Sequence, residues 1–134
     1  MAWLDDLVSL LSPGVAVYGT SLFVSSRAVI PTGDGPYLAL IETGGSGPRR
    51  TQNAVATPAY VQPGAQVIAF ASTEPAAKTM ITNAYNVLVG VSNRLVGSVW
   101  YLWIRPLQEP FDMGLDEAGR IRIGFNVIAL KRPT

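Results

Sequence analysis

Three strand-like segments of the chain are apolar on both of their faces, and this feature constrains the fold more than any other. In residues 37–43, 66–71 and 99–106, apolar side chains occupy successive positions, whereas a strand with one solvated face alternates apolar and polar residues. Residues 120–126 do alternate, with Ile121, Ile123 and Phe125 opposite Arg120, Arg122 and Asn126. A sheet built from these segments needs apolar cover on both faces.

Two segments have the periodicity of amphipathic helices. The first, Ala2–Leu11, has apolar residues at helical spacing and is followed by a proline and a glycine, which end a helix. The second begins after an N-cap at Ser72 or Thr73, tolerates Pro75 in its first turn and extends to about Asn93. Its apolar face consists of Ala77, Ile81, Ala84, Leu88 and Val91. Two helices are too few to cover both faces of the sheet.

The remaining segments predict strands, turns and one long loop. Extended segments are predicted at Val15–Ser25, Tyr37–Thr43, Pro58–Val61, Gln66–Ala71, Val99–Pro106 and Arg120–Leu130. Turns are predicted at residues 31–36 and 63–64, and a mobile loop with a basic tip at residues 44–53. The pattern indicates a single α+β domain over residues 1–134, with a mostly antiparallel or mixed sheet of four to five strands and two helices.

The chain has few charged residues for the surface that it must cover. Hydrophobic residues make up 49% of the sequence and charged residues 14%, whereas about a quarter is typical. The longest apolar run, Val99–Ile104, is about six residues, far too short to span a membrane. The surplus apolar side chains lie on the second faces of the strands, near Leu38, Phe70, Tyr101 and Trp103. Either the sheet folds on itself or a second chain covers them, and the low charge favours a second chain.

The absence of cysteine and histidine excludes several kinds of chemistry. Disulfides, thiolate and imidazole metal sites, cysteine nucleophiles and triads with a histidine base are all excluded. The net charge of +1 does not indicate a nucleic-acid binder, although residues 1–48 carry four acids and one arginine, and residues 49–105 carry five bases and one acid. The amino end carries acids where a signal peptide carries bases, so we expect assembly in the cytoplasm.

The glycine-rich residues 44–50 resemble a phosphate-binding loop only superficially. A P-loop ends in Lys-Ser/Thr and leads directly into a helix, whereas here two arginines and polar residues follow. The segment is more typical of a solvated loop that orders on meeting a partner. Arg49 and Arg50 can then pair with acidic side chains or phosphates, because arginine keeps its charge and offers a planar fork of donors.

Four of the nine acids lie within residues 108–117. Glu109 with Asp112 or Asp116 can serve as an acid–base pair or hold a hard cation, which leaves a small hydrolase as one hypothesis. The spacing fits no Ca²⁺ loop, because apolar residues and a proline interrupt the alternation of ligands. An ordered connection between two strands fits better, with Phe111 inserted into the core or into a neighbouring chain.

The aromatic residues suggest a further alternative. Trp3, Trp100, Tyr101 and Trp103 can be interpreted as a stacking platform for single-stranded nucleic acid. Core aromatics on alternating strand faces explain them more simply, since only Arg105 is close by in sequence. The alternative function is therefore a small binding module that uses these strand aromatics together with Arg49 and Arg50.

Several short motifs resemble the tail terminator or minor capsid (tail completion) proteins of long-tailed bacteriophages. The motifs are Thr51-Gln52-Asn53, Thr57-Pro58-Ala59-Tyr60, Ala84-Tyr85-Asn86, Trp100-Tyr101, Gln108-Glu109-Pro110-Phe111-Asp112, Gly119-Arg120 and Phe125-Asn126. The resemblance spans about residues 37–130, and the string from Gln108 to Asp112 is its most specific part.

The resemblance implies a structural virion protein and not an enzyme. It implies a ring-forming α+β subunit, a homohexamer at the head-proximal end of the tail that ends tube polymerisation and joins the tail to the head. The implied partners are copies of the chain, the tail tube protein and the head–tail connector protein, with no cofactor, membrane or specific nucleic acid. The candidate interface residues are Arg49, Arg50, Gln108, Glu109, Phe111 and Asp112.

Overall fold

The structure is a computed structural model that describes residues 2–27, 29–49 and 60–132 of the chain. These residues form two helices and seven strands. In chain order they are α1 (Ala2–Leu11), β1 (Leu22–Val24), β2 (Tyr37–Arg49), β3 (Tyr60–Ala71), α2 (Glu74–Val89), β4 (Ser92–Val96), β5 (Val99–Pro106), β6 (Phe111–Leu115) and β7 (Ile121–Lys131).

The strands form one mixed sheet in the order β1-β2-β3-β7-β5-β4, with β6 also paired to β7. β1 is parallel to β2, and all other pairs are antiparallel. The predicted α+β class is confirmed, but the described sheet has seven strands where four to five were predicted. Two of the strands, β4 and β6, lie where no strand was predicted, and each has only five residues.

Helix α1 has the predicted bounds, and its apolar face is buried. Trp3, Leu4, Leu7 and Leu11 are at most 3% exposed, in agreement with their helical spacing. The indole Nε1 of Trp3 donates a hydrogen bond of 2.9 Å to the carbonyl oxygen of Gly64, which fixes the helix to β3. A ten-residue helix is marginal in isolation, so this packing is what holds it.

Helix α2 starts as predicted and ends earlier than predicted. Thr73 is its N-cap and Pro75 lies in its first turn, while Gly90 caps the other end, before the predicted end near Asn93. The buried face consists of Ala77, Met80, Ile81, Ala84 and Leu88. Val91 is buried too, but it lies outside the helix, because the chain turns at Gly90 to form β4.

Both faces of the sheet are apolar, as predicted, and the chain itself covers the central part of each. Leu38 and Leu40 lie in the core under the two helices. On the opposite face, a smaller cluster of Ala39, Ile68 and Phe70 is covered by Ile30, Tyr37, Ile41 and Met113. The expectation that a second chain covers Leu38, Phe70 and Tyr101 is therefore wrong, since each is at most 9% exposed.

A bulge in β5 changes which of its side chains point into the core. The register shifts between Tyr101 and Trp103, so Val99, Tyr101 and Ile104 are all buried in the main core. The predicted alternation placed Ile104 on the face opposite Tyr101, which is wrong, because the extra residue reverses the alternation after Tyr101.

The strands β2 and β3 are longer than predicted. β2 continues to Arg49, although a loop was predicted from residue 44, and β3 runs through Pro63 and Gly64, where a turn was predicted. Cross-strand pairs such as Thr43 with Gly64 hold these glycine- and proline-containing stretches extended, with two register shifts along the way. The rest of the predicted loop, residues 50–53, lies outside the described residues, as do residues 58–59.

The predicted extended segment Val15–Ser25 is a strand only at Leu22–Val24. The carbonyl oxygen of Val17 accepts hydrogen bonds from the backbone N–H groups of Thr20, Ser21 and Leu22, so the chain turns there. Local turn hydrogen bonds thus replace a longer strand before β1.

Candidate assembly surface

The string from Gln108 to Asp112 lies in a break between two strands that share one side of β7. β5 ends with Pro106 opposite Val127, and β6 begins with Phe111 opposite Gly124. β5 and β6 therefore run as one interrupted strand along β7. The sequence predicted a connection without a strand here, because Pro110 and Gly114 are not typical strand residues.

The side chain of Gln108 forms a hydrogen bond to β7 within this break. Its side-chain Oε1 accepts a hydrogen bond of 2.9 Å from the backbone N–H of Asn126 in β7. The backbone N–H of Leu107 donates to the carbonyl oxygen of the same Asn126 at 2.8 Å. The side chain of Gln108 thus replaces a backbone acceptor where the ladder is interrupted.

Glu109 and Asp112 are exposed, and each has a local partner. Glu109 accepts a hydrogen bond from the phenol of Tyr85 on α2; burial and this bond both raise the pKa of Tyr85. Oδ1 of Asp112 accepts a hydrogen bond of 2.8 Å from the backbone N–H of Gly114, at the bulge in β6. These contacts shape the strand, and they leave the ring of Phe111 39% exposed at its start.

Asp116 and Arg120 form an ion pair in the turn that connects β6 to β7. Oδ1 of Asp116 accepts hydrogen bonds from the backbone N–H groups of Ala118 and Arg120, and Oδ2 accepts one of 2.9 Å from Nε of Arg120. Burial alone would raise the pKa of Asp116, but the hydrogen bonds from Arg120 outweigh it and hold that pKa below its usual value. The guanidinium also donates to the carbonyl oxygens of Pro31 and Gly33.

These contacts do not assemble a catalytic group from the acids of residues 108–117. Glu109, Asp112 and Asp116 have three different partners in three different places. Nowhere in the described part of the chain do three side chains of metal-ligating type come together. A cavity of about 320 Å³ does lie nearby, between the first turn of α2 and β6. Its lining residues are Glu74, Lys78, Pro110, Asp112, Gly114, Leu115, Ile121 and Ile123.

The four aromatics proposed as a stacking platform do not share a surface. Trp3 and Tyr101 are buried, with their rings stacked at 6.0 Å inside the core, which makes that interpretation wrong for both. The ring of Trp103 is covered by the guanidinium of Arg105 at 4.0 Å, and Trp100 is 39% exposed at the turn between β4 and β5. What remains exposed is a single tryptophan near a strand edge.

A buried polar group lies beside these rings. The hydroxyl of Tyr101 donates a hydrogen bond of 2.6 Å to Oδ2 of Asp6, and burial together with this bond raises the pKa of Tyr101 far above its usual value. Burial lowers the pKa of the nearby Lys131 ammonium, and the Asp6 carboxylate partly opposes that shift. Asp6 is 8% exposed, so one of the four acids in the first third of the chain is internal.

The predicted interface residues fall into two separate groups. Gln108, Glu109, Phe111 and Asp112 lie together beside β7, on the side that carries β5 and β6. Arg49 ends β2 on the other side, with its backbone paired to Tyr60. The side chain of Arg49, and the whole of Arg50, lie outside the described residues.

The described residues include nine large apolar side chains that are exposed, of which the sequence singled out only Trp100 and Phe111. They are Val17, Tyr18, Val29, Val89, Leu95, Trp100, Leu107, Phe111 and Leu115. Tyr18 bridges to Leu22 of β1 at one edge of the sheet, whereas Leu95 lies in β4 and Phe111 and Leu115 lie in β6 on the opposite side. Sequence patterns assigned most of them to loops or to core, because the edge strands were not recognised.

The described part of the chain contains no helix that is both long and apolar enough to cross a membrane.

No family model and no curated protein matches the sequence. Among solved structures, the chain is similar to a chain of the "Virion of native gene transfer agent (GTA) particle", with a TM-score of 0.57 and 19% sequence identity. The match covers 95% of this chain and 84% of that chain. The likeness shows that the two chains share a fold over nearly the whole of this sequence.

Proposed function

We propose that this chain is a structural protein of a phage-like virion, and within that class a tail terminator. It caps the head-proximal end of a tail tube as a ring, stops tube polymerisation and joins the tail to the head connector. The observation that carries the proposal is the fold shared with a virion chain over 95% of this sequence. The motif resemblance, above all the string from Gln108 to Asp112, supports the more specific role.

The chemistry of the described residues supports an assembly role over a catalytic one. The acids of residues 108–117 that could serve as catalysts are engaged in shaping β6 and the turn that follows it. The exposed apolar side chains lie along the edges of the sheet, where neighbouring proteins in an assembly can contact them. The proposal requires no cofactor and no chemical step.

The function is tested by disrupting the gene and measuring the tails by electron microscopy. We expect tails of uncontrolled length that do not join heads, because nothing stops the tube from growing. A copy of the gene supplied in trans should restore uniform, head-joined tails. Tails of normal length that are joined to heads in the disrupted strain would contradict the proposal.

A further inference from the structure

The apolar cluster on the second face of the sheet lies toward one end of that face. It consists of Ala39, Ile68 and Phe70, against which Ile30, Tyr37, Ile41 and Met113 pack. These residues belong to β2, β3, β6 and the loop before β2, and none of them lies on β4 or β5. The corner of the second face that β4, β5 and the end of β7 form is therefore beyond this cluster.

Strand pairing places apolar side chains at that corner. Leu95 pairs with Trp100, and the residues that flank them in sequence and are buried, such as Val96 and Val99, point into the core, so Leu95 and Trp100 point to the second face. Trp103 pairs with Leu130 on the same face, since the bulge in β5 reverses the alternation after Tyr101. We call the following residues the corner surface: Leu95, Trp100, Trp103, Arg105, Leu130 and Arg132. Leu95 is 59% exposed and Trp100 is 39% exposed.

Two arginines border these apolar side chains. The guanidinium of Arg105 lies over the ring of Trp103, 4.0 Å from its centroid, and this contact holds the arginine against the second face. The backbone N–H of Arg132 donates a hydrogen bond of 3.0 Å to the carbonyl oxygen of Trp100, which places Arg132 beside that tryptophan. The N–H donors of a guanidinium lie in its plane, so an arginine on a ring can still bind a carboxylate.

The strands around the corner surface supply no opposite charge. β3, β4, β5 and β7 are described in full and contain no acidic residue. The acids of β2 and β6 lie on the other face, because Glu42 pairs with Ala65 and Asp112 pairs with Ile123, which both belong to the main core. The corner surface is therefore both apolar and positively charged.

We propose that the corner surface binds an acidic, apolar segment of another virion protein. Apolar side chains of the segment lie against Leu95 and Trp100 and leave water, while its carboxylates bind Arg105 and Arg132. The complementary charges orient the segment and exclude basic ones. The inference rests on the proposed function for the origin of the partner, and it adds the chemistry of the partner and the surface that binds it.

Single-stranded nucleic acid fits the corner surface less well. Proteins that bind it combine a track of cations with aromatic rings on which successive bases stack. The ring of Trp103 is already covered by Arg105, and Leu95 has no aromatic face. A single tryptophan between two arginines does not form such a track, whereas an apolar segment with carboxylates can use every residue of the corner surface.

The contact is tested by photo-crosslinking in assembled particles. The photoreactive residue p-benzoylphenylalanine replaces Leu95 in a gene copy supplied to the disrupted strain, and mass spectrometry identifies what it captures on irradiation. A control has the same residue in place of Thr82, an exposed position on α2.

Charge reversals are then combined with the probe at Leu95. They are Arg105→Glu, Arg132→Glu and, as the matched control, Arg94→Glu. Arg94 is an exposed arginine one residue away in β4, and it pairs with the core residue Tyr101, so its side chain belongs to the opposite face. Arg132 follows the last strand, so its variant keeps the test valid if Arg105→Glu disturbs the packing on Trp103.

We expect the probe at Leu95 to capture one segment of a different virion protein, apolar and with more acidic than basic residues. Arg105→Glu and Arg132→Glu should each lower the crosslink yield about fivefold, because they turn attraction into repulsion. Arg94→Glu should leave the yield unchanged.

Several results would overturn the inference. They are capture of another copy of this chain, capture of nucleic acid, capture of a segment without an excess of acids, and no crosslink at all. The same segment captured from Thr82, or an unchanged yield with Arg132→Glu, would overturn it as well.

The outcome is separable from that of the proposed function. Normal, head-joined tails in the disrupted strain contradict the function, whatever the probe captures. Tails of uncontrolled length together with a probe that captures a basic segment, or nothing, overturn the corner surface alone.

Discussion

Arg120 is a nearly buried arginine that contacts several separate parts of the structure. It is 8% exposed, binds the carboxylate of Asp116 and lies over the rings of Phe70 and Tyr37 at 5.3 and 5.7 Å. With its bonds to the carbonyl oxygens of Pro31 and Gly33, it joins the turn before β7 to the loop that covers the second face of the sheet. From the sequence, Arg120 was a polar residue of an alternating strand and part of the Gly119-Arg120 motif, with no contact assigned to it.

Replacing Arg120 with Met should lower the free energy of unfolding by about 2–3 kcal/mol, because the Asp116 carboxylate and two carbonyl oxygens lose a charged donor. The urea midpoint should fall at an unchanged slope. Arg94→Met, at an exposed arginine, is the control and should change stability by less than about 0.5 kcal/mol. Equal midpoints for the two variants would contradict the role given to Arg120.

Asp116 should contribute to the pH dependence of stability. Its pKa is lower in the folded chain than in the unfolded one, so the folded state favours the charged carboxylate. The stabilisation is complete above the ordinary carboxyl pKa of about 3.9 and is lost as the pH falls toward the lowered value. Urea unfolding between pH 6 and 3 should therefore weaken less steeply for Asp116→Asn than for the unmodified chain. Glu117→Gln, which removes one negative charge at the neighbouring exposed acid, is the control for the change in net charge.

Gly124 allows a close approach between β6 and the sheet. A Cβ atom there would lie 2.6 Å from the carbonyl oxygen of Val67 and 2.9 Å from Sδ of Met113. Gly124→Ala should destabilise the chain by about 1–3 kcal/mol, since the backbone of β3 cannot yield cheaply. Gly44→Ala in β2 is the matched control, with no atom within 4 Å of the new Cβ. Equal melting temperatures for the two alanine variants would show that Met113 and the strand shift without cost.

At the scale of elements, periodicity predicted the two helices, which depend on local sequence. It missed the strands that form only beside a partner strand. The bounds of α1 and the start of α2 follow from apolar spacing and from a cap with a following proline. β4 was missed because the helix was predicted to continue to about Asn93, and β6 was missed because Pro110 and Gly114 are typical of a connection when no partner strand is known. β2 and β3 continue through glycine and proline because each holds the other extended.

The break between β5 and β6 depends on one side chain. Gln108→Leu should cost about 0.5–1.5 kcal/mol, because the backbone N–H of Asn126 exchanges its side-chain acceptor for water. The amide of Asn126 should then exchange faster with deuterium. Gln108→Glu keeps an acceptor oxygen at the same position and should protect that amide nearly as well. If the Leu variant protects it equally, the side-chain acceptor is not what completes the ladder.

At the scale of the whole molecule, we expect changes at Arg49 and Arg50 to affect assembly but not the stability of the monomer. Changing both Arg49 and Arg50 to Glu should weaken assembly of rings or tails without lowering the melting temperature of the monomer. The physical reason is that reversing two positive charges weakens attraction to an acidic partner surface. Particle counts by electron microscopy, with melting curves in parallel, measure the two effects. Unchanged assembly would contradict a role for these arginines.

The sequence by itself determined the α+β class, both helices and the apolar character of both sheet faces, because periodicity and capping are local properties of a few consecutive residues. Of the candidate site, it indicated the string from Gln108 to Asp112 but not what those residues do. Only the tertiary structure decided that β5 and β6 share one side of β7, that Gln108 completes a ladder and that Tyr101 and Trp3 are core. Each of these features depends on pairing between segments far apart in the chain, and local patterns carry no information about which strand lies beside which.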